Sequence, residues 1–250
     1  HVDRRRRRSA SPRRILSVLR LHLAHPGTVL GWPLLVLLAV LAGNLVIWWL
    51  VLRGIGAERG GGDSGILLVG PGMLIVVFLF IGSIQATTAT FGLALSYGAT
   101  RRDHVLGSAL AFAALSVLWS AIVVALGAIE EATGGWWLGG ALFLASPLDG
   151  PWLERFVVLL CSLLAAFALG GAAGAVFLRW RERGVTAFLL ALGAVALAVV
   201  VVVALAGGRP VVADVLESAG TAGAAALLLV PAALLTVVGS LVLRRATPRG

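Results

Sequence analysis

A chain of 250 residues with 60% hydrophobic side chains, 12% charged ones and a formal net charge of +9 is too apolar for a soluble domain. All twenty basic side chains other than histidine are arginine, set in short groups without interleaved aromatics or a folded binding module, which argues against nucleic acid as a partner and favours anionic lipid head groups. The one cysteine, Cys161, permits no intramolecular disulfide or cysteine metal site and reads as a small buried hydrophobe.

In chain order, residues 1–12 form a basic cytoplasmic tail. Residues 13–30 place Ile15, Leu16, Val18, Leu19, Leu21 and Leu23 beside Arg13, Arg14, Ser17, Arg20 and His22, and end at His25-Pro26-Gly27. An apolar stripe too short and too charged to span is expected to lie as an interfacial amphipathic helix, with Arg13, Arg14 and Arg20 toward lipid head groups. A cytoplasmic extension of the first span is the competing reading. The arginine run resembles a signal n-region, but the interruption at Arg20–Pro26 and the full length of the next apolar run point to a retained first span.

The remainder, residues 31–250, is expected to be one six-span transmembrane domain. Its apolar runs are Trp32–Leu52, Gly65–Tyr97, His104–Ile129, Phe156–Leu178, Gly184–Ala206 and Ala222–Leu243, each near or above the roughly 20 residues a helix needs to cross a bilayer. Sixteen of the twenty arginines fall in the N-terminal tail, the second and fourth connections and the C-terminus, while the other connections hold most of the acidic residues. Arginine is retained on the cytoplasmic face, so both termini are expected inside a cell (plasma) membrane. Gly70-Pro71-Gly72 suggests a kink near the start of the second span. The longest outer connection, Glu130–Arg155, carries Trp136, Trp137 and Trp152 and suggests an interfacial segment or a shallow re-entrant hairpin. Val211–Ser218 suggests an amphipathic outer turn or short helix.

No span holds Asp, Glu or Arg away from its ends, no Gly-x-Ser-x-Gly elbow occurs, and a chain without lysine has no Walker sequence. Catalysis and bound cofactors are therefore not expected in this chain, and energy for any work must come from another. In the second span Ser83, Thr87 and Thr90 share a helical face, with Ser116, Trp119 and Ser120 a counterpart in the third. Such faces suit a path for an amphipathic or polar substrate, and equally suit hydroxyls bonding to their own helices or joining two of them. Gly170, Gly171 and Gly174 form a small-residue face fitted to close helix packing.

Between the second and third spans stands Phe91-Gly-Leu-Ala-Leu-Ser-Tyr-Gly-Ala-Thr-Arg-Arg-Asp-His-Val-Leu-Gly107. With Gly98, Thr100, Arg101, Arg102, Val105, Leu106 and Gly107 in place, it resembles the second-to-third span connection of ABC type-2 exporter permeases. The resemblance extends to the whole chain, the long third outer connection being a departure. It implies that Tyr97, Gly98, Thr100, Arg101, Arg102 and Asp103 form a coupling element seated on a separate ABC ATPase, which would bind ATP and magnesium. It also implies a second permease subunit, giving a homo- or heterodimer, and export by alternating access. A membrane scaffold or sensor subunit docking a cytoplasmic protein through the same arginines is the alternative.

Overall fold

The structure, a computed structural model, describes residue 27 and residues 31–54, 71–96, 100–139, 142–144, 148–205 and 209–245. The expected basic tail and the expected interfacial helix with Arg13, Arg14 and Arg20 fall outside the described residues. Among the described residues the chain is helical without a strand: α1 Trp32–Gly54, α2 Pro71–Ser96, α3 Arg101–Ala132, a π turn Gly135–Gly139, α4 Trp152–Leu205, α5 Arg209–Leu227 and α6 Leu229–Arg245. Five helical stretches are long and apolar enough to cross a membrane.

Each of the first three helices buries one stripe and exposes the rest. On α1, Pro33, Leu37, Leu41 and Asn44 face inward, while Leu35, Val46 and Leu50 are more than half exposed. A helix apolar all round but buried on one stripe needs apolar surroundings on its other faces, as a bilayer provides. The stripe continues through Ile75 and Leu79 of α2 and Leu115, Trp119 and Val123 of α3 onto Leu159, Leu163 and Phe167 of α4, which together form the main core. A smaller cluster joins Phe91, Ala175 and Leu243. The lone cysteine, Cys161, is buried in the main core.

Boundaries differ from the sequence expectation in two places, each for a local reason. Pro71 stands at the first described residue of α2, where a missing N–H costs nothing, and the residues before it that the expected kink at Gly70-Pro71-Gly72 involves lie outside the described residues. The fourth and fifth apolar runs join as α4, broken only at Arg181, whose φ of 58° and ψ of −152° leave the helical region. Leu192, eleven residues past the break, lines the same cavity as Ala166 and Leu169, so the second limb, 182–205, folds back along the first, 152–180. The sixth run, Ala222–Leu243, is divided at Leu228, which forms a turn between α5 and α6, while Gly220, just ahead of the run, departs from helix at φ 67°. Pro231 explains the turn, since it has no N–H for the carbonyl of Leu227, four residues back. Of the turn or short helix expected at Val211–Ser218, the structure has helix, as the first part of α5 ahead of Gly220.

Candidate functional site

The α2–α3 turn begins beyond Ser96, and Tyr97 and Gly98 lie outside the described residues. From Thr100 its construction is clear. The Thr100 backbone N–H donates to Asp103 Oδ2 at 3.0 Å, the Thr100 hydroxyl donates to the same oxygen at 2.8 Å, and the Asp103 N–H donates to Thr100 Oγ1 at 3.1 Å. This reciprocal capping box satisfies donors at the start of α3, and the acidic side chain favours the helix N-terminus electrostatically.

Arg101 reaches across to α6. Its Nη1 donates to the carbonyl of Leu243 at 3.2 Å and to that of Arg244, placing a guanidinium on the C-terminal carbonyls of α6. Arg102 alone of the expected charged cluster is exposed, since Asp103 is 1% exposed. Next to it His104 is buried with its ring edge-on to Phe91, centroids 5.4 Å apart. The turn is thus pinned to α3 by its cap, to α6 by Arg101 and to the small core by His104.

Sequence reasoning missed Glu130, at the other end of α3, which is fully buried. Four N–H groups donate to its carboxylate: the Trp136 indole at 2.8 Å and the backbone of Leu142, Phe143 and Leu144 at 2.9–3.2 Å. Charge-assisted bonds of this kind are roughly twice as strong as neutral ones. They fold the connection between α3 and α4 back onto α3 and bury Leu142 and Phe143 in the core. Gly134, Gly135, Trp136 and Trp137 all take positive φ to make the reversal, a conformation costing roughly 1–2 kcal/mol at each tryptophan. The expected interfacial or re-entrant segment is therefore a tight cap latched to Glu130, with Trp137 and Trp152 exposed at 76% and 66%. Beside it, buried Arg155 donates to the Gly150 carbonyl and pairs with exposed Glu131 at 3.2 Å. The signal available in sequence was spacing: Trp119, Val123, Gly127 and Glu130 share one helical face.

The expected substrate-path residues divide. The Ser83 hydroxyl donates to Phe80 O at 2.6 Å, Thr90 to Ala86 O at 2.7 Å and Ser116 to Phe112 O at 2.9 Å, each within its own helix. Ser83 and Thr87 lie against Gly170 and Gly174 of α4, where an added Cβ would meet Phe80 O at 2.6 Å and Thr87 Cβ at 2.9 Å. The small-residue face on α4 thus seats α2. Trp119 and Ser120 are fully buried, and neither Trp119 Nε1 nor Ser120 Oγ has a hydrogen-bond partner among the described residues.

Two cavities flank α6. One of about 260 Å³ lies between α3 and α6 over α4 and includes Thr87 in its wall. The other, about 510 Å³ and almost wholly apolar, lies among α2, both limbs of α4 and the start of α6, with Leu148 of the α3–α4 connection in its wall. Ser83, Thr90, Ser116, Trp119 and Ser120 line neither. Among the described residues no group of three or more His, Cys, Asp or Glu side chains is placed to hold a metal ion. No family model, curated protein or solved structure matches the chain.

Proposed function

We propose that the chain is the permease subunit of an ATP-driven exporter of the ABC type-2 class. In this reading six spans cross the plasma membrane with both ends cytoplasmic, and two such subunits, identical or paralogous, associate with two ATPases that bind ATP and magnesium. The cargo is hydrophobic or amphipathic, because the helices carry no charge at membrane depth.

The observation that carries the reading is the α2–α3 turn. A capped helix start tied to the end of α6 by Arg101 moves as one piece with both helices, so a push delivered there reaches the walls of the cavity between α3 and α6. Arg102 is the exposed charge available to a docking partner, while Asp103 and Arg101 serve the turn itself. Nucleotide-driven closure of the ATPases would bring two such turns together and switch access between the two sides of the membrane.

Purification from the native host in mild detergent, with mass spectrometry of what stays bound, tests this directly. An ABC ATPase in near-equal amount is expected. Its absence from a well-folded preparation would make the same turn the docking point of a scaffold or sensor subunit. Arg102→Glu is expected to reduce ATPase association at least about tenfold, the loss of one interfacial charge contact worth roughly 1.4 kcal/mol or more. Arg101→Ala should leave association in place and reduce substrate-stimulated ATP turnover, because it removes the tie to α6. Wild-type association and turnover in both variants would overturn the coupling role.

A further inference from the structure

Three groups of arginine that are far apart in sequence meet at one end of the bundle. Val105 of α3, Leu178 of α4 and Val242 of α6 all pack on the small core of Phe91, Ala175 and Leu243, and Arg101 ties α3 to the last carbonyls of α6. The start of α3, the reversal of α4 and the end of α6 therefore lie side by side, with Arg102, Arg179, Arg181, Arg183 and Arg244 exposed. Among the described residues none of these five is in an ion pair, Asp103 is taken up by the cap of α3, and Glu182 is the one exposed acid at this end. Unpaired cations gathered in this way create a positive field that attracts anions.

The α4 reversal differs from the other two groups in carrying aromatic and apolar surface beside its charge. Arg179 ends the first limb and Arg183 begins the second, so the turn at Arg181 presents a cation from each. Arg179 lies over the Trp180 ring at 4.6 Å, Arg181 is 5.8 Å from the ring of Phe177, and Trp180 is 50% exposed. A guanidinium stacked on a ring keeps its edge N–H groups available to an oxygen ligand. A Cβ added to Gly184 would overlap that of Trp180, so the limbs meet at close range and the indole is held at the turn. From there the limb 182–205 runs back without one buried residue, and Leu189, Leu190 and Leu197 are exposed. Charge, an exposed indole and a long apolar face follow one another in the order of a phospholipid's head group, interface and acyl chains. A water-soluble protein would match the arginines but neither the indole nor the apolar limb.

We propose that the α4 reversal is a binding site for an anionic phospholipid, with its phosphate held by Arg179 and Arg183 beside Trp180 and its acyl chains along the limb 182–205. Arginines at a membrane surface attract anionic lipid by charge alone, whereas this turn adds a fixed indole and a cation from each limb, which selects one position for one lipid. The site depends on the chain lying in a membrane but not on the exporter reading, because binding is measured without an ATPase.

The full chain is placed in phosphatidylcholine nanodiscs containing a trace of phosphatidylglycerol with a diazirine on one acyl chain, and the photolabelled peptides are mapped. Labelling is expected to concentrate on residues 180–195, at least about fivefold above the exposed face of α1 at residues 35–50, while a phosphatidylcholine carrying the same diazirine labels the two regions alike. Arg179→Gln with Arg183→Gln changes two exposed side chains and should leave thermal unfolding in phosphatidylcholine unchanged while lowering labelling by the anionic probe about tenfold or more. Glu182→Gln, which removes the one acid at the turn, should raise it, and Arg244→Gln, at the same end of the bundle, should leave it unchanged. Even labelling of all exposed helices by the anionic probe, equal enrichment by the phosphatidylcholine probe, or an unchanged Arg179/Arg183 variant would overturn the site. An equal loss in Arg244→Gln would spread the attraction over the whole basic end and overturn its placement at the reversal. Full displacement by glycerol phosphate would make the ligand a soluble phosphate and overturn the lipid. Loss of a co-purifying protein from the Arg179/Arg183 variant, with lipid labelling unchanged, would make the reversal a protein-docking surface instead.

Discussion

Glu130 shows how one residue sets the conformation of some fifteen others. A carboxylate accepts only, and every bond it receives here comes from an N–H, so the match between acceptor and donors is complete on both oxygens. Glu130→Gln replaces one oxygen by a donor and sets it against N–H groups. The cost is expected to be about 3 kcal/mol, the penalty for leaving buried donors unmade. Thermal unfolding in detergent should show the loss, and hydrogen exchange should show the amides of Leu142–Leu144 exchanging faster while α3 stays protected. Unchanged protection at those amides would mean that apolar contacts of Leu142 and Phe143 hold the cap without the carboxylate. The pair Arg155–Glu131 is a weaker fastening, since Glu131 is 64% exposed and screened by solvent.

Among the elements, the seam between α2 and α4 has the closest approach. Gly170 admits Phe80 O and the Ser83 hydroxyl, and Gly174 admits Thr87, so the helices touch where side chains are absent. Gly170→Val has no relaxed position available against a backbone carbonyl and is expected to destabilise the chain by about 3 kcal/mol or more, with lower yield of monodisperse protein. Gly193, with open space around it, is the control: Gly193→Ala should be neutral or slightly stabilising because it favours helix. Had Gly170→Val been tolerated, the seam would be looser than these contacts imply. The small-residue face was legible in sequence because its spacing is local, and so were the long apolar runs and the short turn between the second and third of them, although Thr100 and Asp103 read there as groups for a partner and not as the cap they form. What was not legible depends on long-range partners. Nothing in the spacing of Arg101 shows that it reaches carbonyls 142 and 143 residues away, and an arginine at a turn reads the same whether it faces a partner or a neighbouring helix. The interruption at Leu228 was visible in principle through Pro231, but the apolar composition on both sides concealed it.

For the whole molecule, the order of its charges and the shape of α4 lead to the same arrangement. A continuous helix of 54 residues would be about 80 Å long, against roughly 30 Å of hydrocarbon, so α4 must reverse if it lies in a membrane. It does so at Arg181, between Arg179 and Arg183, where retention of positive charge on the cytoplasmic side would hold the turn. Three exposed acids then report the path: Glu131 in the last turn of α3, Glu182 at the reversal and Glu217 in α5. With buried Cys161 first replaced by alanine, single cysteines at these positions give a topology readout with an otherwise thiol-free chain. A membrane-impermeant maleimide should label Glu131→Cys and Glu217→Cys in intact cells, and Glu182→Cys only after permeabilisation. Labelling of all three from outside would place the reversal on the outer face and remove both the six-span arrangement and the inward position of the α2–α3 turn. Labelling as expected would put Arg102, the end of α6 and the His104 end of the cavity between α3 and α6 on the cytoplasmic side together, because Arg101 ties the start of α3 to the end of α6.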